Sequence, residues 1–342
     1  MTKPKTYSRF GFTLIEILVV IAIIAVLASI LLPALQKVQE TAKKTKTSSL
    51  LQSFARACDE FALDHGRYPG LIPDSAVDGT SMTSAQNALL ELMGGARAVN
   101  NQSPQTVRNE FDDFASTATV LNTVTDPASG LTWDIAFNES RFGEGPWING
   151  RVYEPYFSPK SSDLKYVPFD TNNAGSFEYP GIVDAWDMPI IYLRAGRKNG
   201  VIIDYAANGR LPQFDLPEMD DHFQDTLNIN ASIIGPTIST EDQTKIAWIT
   251  LMLAHPTFWE IDASNAGTEF DMGTAWGTSR GRYMLLSAGP DNIYLEISNE
   301  QIHENQEIDV QNPTSSLLSP TSGTVTPKMM ETFDDVVVYG GA

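Results

Sequence analysis

The chain has 342 residues, of which 23 are Lys or Arg, 42 are Asp or Glu and one is Cys. Its apolar and aromatic content is sufficient for one large domain or two smaller ones, which excludes a wholly disordered protein. A formal charge of −19 argues against a nucleic-acid binder, which needs clustered cations, and a single Cys excludes both an internal disulfide and a zinc site of several thiolates.

The charge is distributed unevenly along the chain. Residues 1–11 carry three basic side chains and no acidic one, whereas residues 47–342 hold 16 basic and 40 acidic side chains. Between these regions, residues 12–35 form an apolar run in which Glu16 is the one charged residue. A helix of about 20 apolar residues crosses a bilayer, and basic residues in a short flank keep that end in the cytoplasm. We therefore predict a single transmembrane helix over 12–35, with the acidic bulk of the chain on the far side.

A secretory signal peptide and a plain N-terminal anchor are the two alternatives to this interpretation. A signal peptide has a shorter apolar core followed by a cleavage site of small residues. Here the run is long and leads into an amphipathic helical pattern. A plain anchor does not account for Glu16, because a carboxylate inside a membrane span costs a few kcal/mol and is normally functional.

The residues around this acid form a specific motif. A basic leader precedes the sequence G-F-T-L-I-E at 11–16, and the unbroken apolar run follows it. This pattern resembles the cleavage and N-methylation motif of type IV prepilins and type II secretion pseudopilins. The resemblance implies that a prepilin peptidase cuts after Gly11, which removes the leader 1–11, and then methylates the new amine of Phe12.

The same resemblance implies an assembly role for two residues of the span. Glu16 would pair with the N-terminal amine of a neighbouring subunit, so that the cost of burying each charge is offset by the other. Pro33 lacks an amide donor and is expected to kink or loosen the helix near the end of the span. In this family a Pro at that place coincides with a stretch that unwinds on assembly.

The helical pattern continues beyond the span over residues 36–66. Gly66 and Pro69 supply the stop signals for this amphipathic continuation. Cys58 lies on its apolar face and is predicted to be a core residue, whereas His65 is predicted to be a helix-end cap or a solvated side chain. The apolar face comprises Leu35, Val38, Ala42, Leu50, Phe54, Ala57, Cys58 and Phe61.

Three segments of the remaining chain, 67–342, resemble the major pseudopilins of type II secretion. Residues 61–69 are similar to their helix exit with its G-x-Y-P turn. Residues 184–192 are close to their D-P-W-G-x-P-x-x-Y pattern, from which Ala185 and Asp187 depart. Residues 286–292 resemble their S-x-G-x-D-G. The resemblance implies an α+β head in which the long N-terminal helix packs on a small antiparallel sheet, the type IV pilin-like fold.

The last of these segments and the end of the chain imply calcium binding. By the resemblance, Asp291 and Asp335 would be side-chain ligands and Ala288 would supply a backbone carbonyl. Calcium takes about six to eight oxygen ligands of these kinds. Asn292 replaces the Gly of the family pattern, and the segment between the two acids is longer than the family loop. The alternative interpretation is a plain turn, because Gly, Pro, Asp and Asn are common turn residues.

Two long segments, about 71–180 and 205–280, lie outside the resemblance and are interpreted as insertions in the head. The first contains a predicted helix over Ser84–Met93, which ends at a Gly-Gly pair, and the second contains one over 240–254 with a cap-like start. Residues 305–330 are predicted to form a flexible loop.

Short strands and a set of aromatic residues complete the predictions for the head. The composition predicts strands over 282–287 and 336–339. Aromatic residues at this density usually belong to a packed core, and a ligand or partner surface is the alternative. The Trp residues concerned are Trp133, Trp147, Trp248, Trp259 and Trp276.

We expect the protein not to be an enzyme. The four His residues do not occur in H-E-x-x-H spacing, and the chain has no G-x-x-x-x-G-K-[ST] phosphate loop. The acidic clusters at 112–113 and 220–222 are interpreted as solvated surface. The sequence does not exclude a carboxylate pair for glycoside hydrolysis, because the fold sets the distance between the two carboxylates.

The resemblance as a whole implies a pseudopilin-like structural subunit of a type II secretion filament. Such subunits are held in the inner membrane with a periplasmic head and polymerise with their own kind to drive protein export. An assembly platform in the inner membrane with a separate ATPase would supply the energy. The alternatives are a type IV pilin-like surface subunit for adhesion or DNA uptake and a minor subunit at a filament tip. The large head favours a tip position, whereas the presence of Glu16 favours incorporation along the filament.

Overall fold

A computed structural model of the chain divides into two units, Met1–Thr45 and Lys46–Ala342. The structure describes residues 14–77, 82–100, 119–125, 130–168, 178–196, 202, 213–214, 252–253, 255, 279–291, 294 and 335–341.

Three α-helices and ten strands have their bounds within this described part of the chain. The helices are α1 (Leu14–His65), α2 (Asp74–Val77) and α3 (Ser84–Met93). The strands are β1 (Ala96–Asn100), β2 (Thr119–Thr125), β3 (Thr132–Asn138), β4 (Trp147–Ile148), β5 (Arg151–Val152), β6 (Leu164–Pro168), β7 (Glu178–Ile182), β8 (Ile191–Arg194), β9 (Tyr283–Ser287) and β10 (Val336–Gly340).

The first unit consists, where it is described, of the N-terminal part of α1. The large apolar side chains from Leu14 to Val38 are each at least 50% exposed, and they surround the helix on all sides. The helix continues through Pro33 without interruption. A helix that is apolar all round needs an apolar environment, and α1 is long and apolar enough to cross a membrane.

The second unit is built on one face of the C-terminal part of α1. Leu51, Phe54, Cys58 and Phe61 are fully buried, and their spacing of three, four and three residues places them on a single stripe of the helix. Burial raises the pKa of the Cys58 thiol, so the side chain stays protonated and packs as a small apolar group. The predicted core position of Cys58 is therefore confirmed.

A three-stranded antiparallel sheet with the strand order β10-β9-β8 covers this stripe. Tyr192 of β8 and both Tyr283 and Leu285 of β9 belong to the same buried cluster as the helix residues. The Tyr283 hydroxyl donates a hydrogen bond of 2.8 Å to the carbonyl of Ala55. A second antiparallel sheet has the order β1-β3-β2, and β4-β5 and β6-β7 form two further pairs. The predicted α+β class, a long N-terminal helix with small antiparallel sheets, is confirmed.

The helix predicted over Ser84–Met93 is confirmed as α3. Its start is specified locally, because the Thr83 hydroxyl accepts from the amide of Gln86 at 3.1 Å and the Gln86 side chain accepts from the amide of Thr83 at 2.9 Å. It ends at Gly94, which has a φ of 82°. Leu89 faces the cluster on α1, whereas Leu90 faces a second cluster under the β1-β3-β2 sheet. Although α3 falls in the segment interpreted as an insertion, it thus joins the two cores.

Two ion pairs hold the turn between α1 and α2. Arg194 donates from Nε to the carboxylate of Asp74 at 2.8 Å, and its other nitrogens donate to main-chain carbonyls of the turn. Arg67 forms a bidentate ion pair with Glu91. The Glu91 carboxylate also accepts a hydrogen bond of 2.7 Å from the amide of Gly70. The G-R-Y-P-G segment is therefore fixed by cations and carboxylates from other parts of the second unit.

His65 lies in the last turn of α1, as predicted, but it is not a solvated side chain. Its ring packs against Tyr153 and Tyr156, with centroids 4.8 and 6.0 Å away, and its Nε2 lies 3.2 Å from the Tyr156 hydroxyl. Tyr156 donates to Asp64 at 2.6 Å, which leaves its oxygen free to accept from His65. Burial and, to a smaller extent, the charge of Arg67 lower the pKa of His65.

The packing of α1 can be tested with Phe54→Ala. The rings of Phe157 and Tyr192 lie edge-on to Phe54 at 5.1 and 5.8 Å, so truncation leaves a cavity. We expect the free energy of unfolding of the second unit to fall by about 3–5 kcal/mol in urea titrations. Leu63→Ala is the control on the same helix, because Leu63 is 86% exposed. A similar loss in both variants would contradict this account of the core.

The environment of His65 predicts a pH dependence of stability. The native ring is harder to protonate than the ring in the unfolded chain, whose pKa has the ordinary value of 6.5. The unfolded state therefore binds more protons, and the stability due to His65 is present above about pH 6.5 and is lost as the pH falls below it. We expect Tm to fall more steeply between about pH 7 and pH 5.5 in the wild type than in His65→Gln. If Tm falls equally with pH in the wild type and in His65→Gln, the His65 ring is not desolvated in the native state.

Candidate functional site

The processing and assembly residues predicted at the N-terminus lie partly in the described chain. Gly11 and Phe12 fall outside the described residues. Glu16 lies in the first turn of α1, where unpaired amides and the helix dipole favour a carboxylate. The exposed apolar surface follows directly after it and includes Pro33. Glu16 is thus the one charged residue in the part of α1 that runs from Leu14 to Leu35.

The pairing of β9 with β10 brings together two residues of the predicted calcium site. The strands are antiparallel, and Ser287 is opposite Val336. Ala288 follows Ser287 and Asp335 precedes Val336, so these two residues lie next to each other at the same end of the pair. The predicted strands at 282–287 and 336–339 are confirmed as β9 and β10. The side chain of Asp291 lies outside the described part, although its backbone ends a 3-10 turn that begins at Gly289.

The surroundings of this strand end are acidic. Tyr294 is fully buried, and its hydroxyl donates to the carbonyl of Pro189. Burial, and then the charges of Asp184 and Asp335, raise the pKa of Tyr294. The negative charges of Asp184 and Asp335 therefore both oppose ionisation of this hydroxyl.

Asp184 links two of the three head segments that resemble the pseudopilin patterns, 184–192 and 286–292. Its Oδ1 accepts from the amides of Trp186 at 2.8 Å and Met188 at 3.0 Å, which closes a turn. Its Oδ2 accepts from the Ser287 hydroxyl at 2.7 Å. Burial raises the pKa of Asp184, although these hydrogen bonds oppose the shift. Sequence reasoning placed Asp184 and Ser287 in separate motifs and did not connect them.

The oxygen atoms at this end of the β9-β10 pair are suitable ligands for a hard cation. A main-chain carbonyl at Ala288 and a carboxylate at Asp335 are the oxygen ligands that calcium prefers. Among the described residues, no group of three or more His, Cys, Asp and Glu is arranged to hold a metal ion. The calcium hypothesis consequently depends on Asp291 together with these two residues.

Most other predicted features of the insertions lie outside the described residues. This applies to the acidic clusters at 112–113 and 220–222, and to the helix predicted at 240–254 except residues 252 and 253, which are helical. The loop predicted at 305–330, beyond the insertions, also lies outside the described residues. Trp133 is half-buried against the second core cluster. Trp147 is half-buried in β4, with the Arg97 guanidinium 6.0 Å from its ring centroid. Trp248, Trp259 and Trp276 lie outside the described chain.

Comparisons with known proteins agree with the N-terminal motif. Residues 7–32 match the family model described as the prokaryotic N-terminal methylation motif. The chain is 46% identical over 63 residues to type II secretion system core protein G of Pectobacterium carotovorum subsp. carotovorum, covering 18% of this chain and 40% of the relative. It is 48% identical over 59 residues to core protein G of Klebsiella pneumoniae, covering 17% of this chain and 42% of the relative.

A relative with a different name matches over a longer stretch. The chain is 32% identical over 100 residues to a fimbrial protein of Neisseria meningitidis serogroup B, covering 27% of this chain and 59% of the relative. The chain thus spans between two fifths and three fifths of the length of these curated relatives. No solved structure matches the chain. The chain carries a prokaryotic N-terminal methylation motif and is homologous, over part of its length, to type II secretion core protein G and to a fimbrial protein.

Proposed function

We propose that the protein is a pseudopilin-like structural subunit of an envelope filament of the type II secretion kind. The observation that carries this proposal is the methylation motif at 7–32, joined to a long helix whose apolar side chains are exposed on every side. A membrane can cover this surface before assembly, and the helices of other subunits can cover it afterwards. Homology to core protein G supports secretion as the system. In this role the protein is not an enzyme.

Processing accounts for the order of the N-terminal segments. A prepilin peptidase cuts after Gly11, removes the basic leader 1–11 and methylates Phe12. The mature chain then begins at the apolar run, and Glu16 lies one helical turn from the new amine. In a filament the carboxylate of Glu16 pairs with the amine of a neighbouring subunit, because a buried carboxylate without a partner is costly. Pro33 lies near the end of the span, where loss of one helical hydrogen bond eases local unwinding.

The proposal also assigns a location and partners. Residues 12–35 span the inner membrane once, with the N-terminus in the cytoplasm and the head, 67–342, in the periplasm. Residues 36–66 continue the helix into the head. The partners are further subunits of the same filament, the peptidase, and an inner-membrane platform with a separate ATPase.

A type IV pilin-like surface subunit for adhesion or DNA uptake is the second candidate. The relative named fimbrial protein favours it. The size of the chain favours a minor tip subunit within either system, because a large head is accommodated most easily at a filament end. Assays of protein export and of surface pili in a strain that lacks the gene distinguish the two systems.

Glu16→Ala tests the assembly role. We expect the variant to be processed and to stay in the membrane, but to enter filaments at least about tenfold less than the wild type, since a tenfold change corresponds to about 1.4 kcal/mol. Filaments are sheared from cells that co-express tagged wild-type subunits, and the incorporated variant is quantified by blotting.

Glu40→Ala is the matched control for this experiment. Glu40 lies on the same helix beyond the span, is exposed, and makes a 4.0 Å pair with Lys44 that is worth little in water. It should enter filaments like the wild type. Normal incorporation of Glu16→Ala would refute the charge-pairing account while leaving the membrane anchor intact.

We also propose that the head binds calcium at the end of the β9-β10 pair. Asp291 and Asp335 would supply carboxylates and Ala288 would supply a main-chain carbonyl, which are oxygen ligands of the kinds that calcium takes. The register of the two strands and the acidic surroundings of Tyr294 support this placement. Bound calcium would neutralise charge in a chain that is strongly acidic overall.

Thermal melts with calcium and with chelator test this site. A ligand at 100 times its Kd stabilises the native state by about 2.7 kcal/mol, so we expect a clear rise in Tm with calcium. Asp335→Asn should abolish the rise. Asp187→Asn is the control, because Asp187 is exposed and has a φ of 66°, which Asn tolerates well. An identical Tm of the wild type in calcium and in chelator would eliminate the site.

A further inference from the structure

We propose that Asp184 and Ser287 act as positioning residues that hold the segment Ser287 to Asp291, the cation loop, in its binding conformation before the ion arrives. The inference rests on the proposed calcium function and extends it to residues that the calcium hypothesis does not include. It is carried by a continuous set of hydrogen bonds between the cation loop and the turn at 184–189.

The Asp184 carboxylate is already engaged by protein donors. Two main-chain amides and the Ser287 hydroxyl donate to it at distances between 2.7 and 3.0 Å. The residue is 1% exposed, so water does not replace these donors. A carboxylate with three short protein hydrogen bonds is suited to orient its neighbours, and we assign it no bond to the ion.

Ser287 transmits this orientation to the cation loop. Its hydroxyl donates to Asp184 and accepts from the amide of Gly289 at 3.4 Å. Ala288, whose carbonyl is the candidate ligand, lies between these two anchored residues and is itself fully buried. The direction of the Ala288 carbonyl is therefore coupled to the Asp184 side chain.

The turn that carries Asp184 is itself rigid. The amide of Asp184 donates to the carbonyl of Met188 at 2.8 Å, and Val183 forms an antiparallel bridge with Pro189. Beyond the cation loop, the buried Tyr294 hydroxyl donates to the carbonyl of Pro189. The 184–189 turn thus holds the chain on both sides of the cation loop. Groups that orient metal ligands in this way raise affinity without touching the metal.

Ser287→Ala in the full-length protein is the decisive variant. It removes the link to the cation loop and leaves the two amide bonds of Asp184 in place. We expect calcium to bind about tenfold more weakly in calorimetric titrations, as is typical when an orienting partner is lost. In chelator, the Gly289 amide should exchange with solvent at least about tenfold faster than in the wild type, because it loses its acceptor on Ser287 and the loop opens locally.

Two further variants separate positioning from general damage. Asp184→Asn keeps an acceptor for the turn amides, and its amide nitrogen can donate to the Ser287 oxygen but cannot accept from the hydroxyl. The link is weakened without being removed, so the effect should lie between those of Ser287→Ala and the wild type. Asp187→Asn, in the same turn but exposed, should match the wild type in both measurements. Amide exchange in β3, which belongs to the other three-stranded sheet, reports whether each variant remains folded.

The possible results distinguish this inference from the calcium proposal. Wild-type affinity and wild-type Gly289 exchange in Ser287→Ala would overturn the positioning role and leave the calcium site standing. If the wild type binds no calcium, the calcium proposal fails, and the exchange of Gly289 alone decides whether Asp184 and Ser287 hold the loop. Weaker binding with unchanged exchange would also contradict the inference, because pre-organisation has to be visible without the ion.

Discussion

The second unit depends on the burial of one stripe of α1. Leu51, Phe54, Cys58 and Phe61 form this stripe, and the β8-β9-β10 sheet and α3 both pack on it. Each fully buried side chain of this kind contributes roughly 1.5–3 kcal/mol. Without the sheet, this face of α1 would be exposed to water. The three strands of the sheet are far apart in the chain, and the shared apolar surface brings them together. The N-terminal part of α1 therefore carries a surface suited to a membrane, and its C-terminal part carries the stripe that forms the core.

Polar interactions specify the connections around this core. The Arg194–Asp74 and Arg67–Glu91 pairs fix the turn after α1, and Asp184 fixes the turn before β8. These carboxylates are buried or half-buried, so each would be costly without its donors. The loops at the edge of the small sheet consequently have defined conformations, which a site made of main-chain carbonyls and carboxylates requires.

Several elements could be predicted from local sequence. The bounds of α3 follow from its capping box and its terminal Gly pair, and β9 and β10 are visible as short apolar runs. The pairing of β9 with β10 is not visible in the same way, because it joins segments about 50 residues apart and no local pattern records the register. The partial burial of His65 was not predicted for the same reason, since Tyr153 and Tyr156, which follow β5, contact it from a distant part of the chain.

The sequence by itself determined the methylation motif, the apolar helix with Glu16 at its start, and the amphipathic stripe with Cys58 in the core. These features depend on residue order and helical periodicity, which act over a few residues. Only the tertiary structure decided that Ser287 donates to Asp184 and that the cations Arg67 and Arg194 hold the turn after α1. Each of these contacts joins chain segments that meet only when the apolar face of α1 is buried, so their geometry is a property of the packed core.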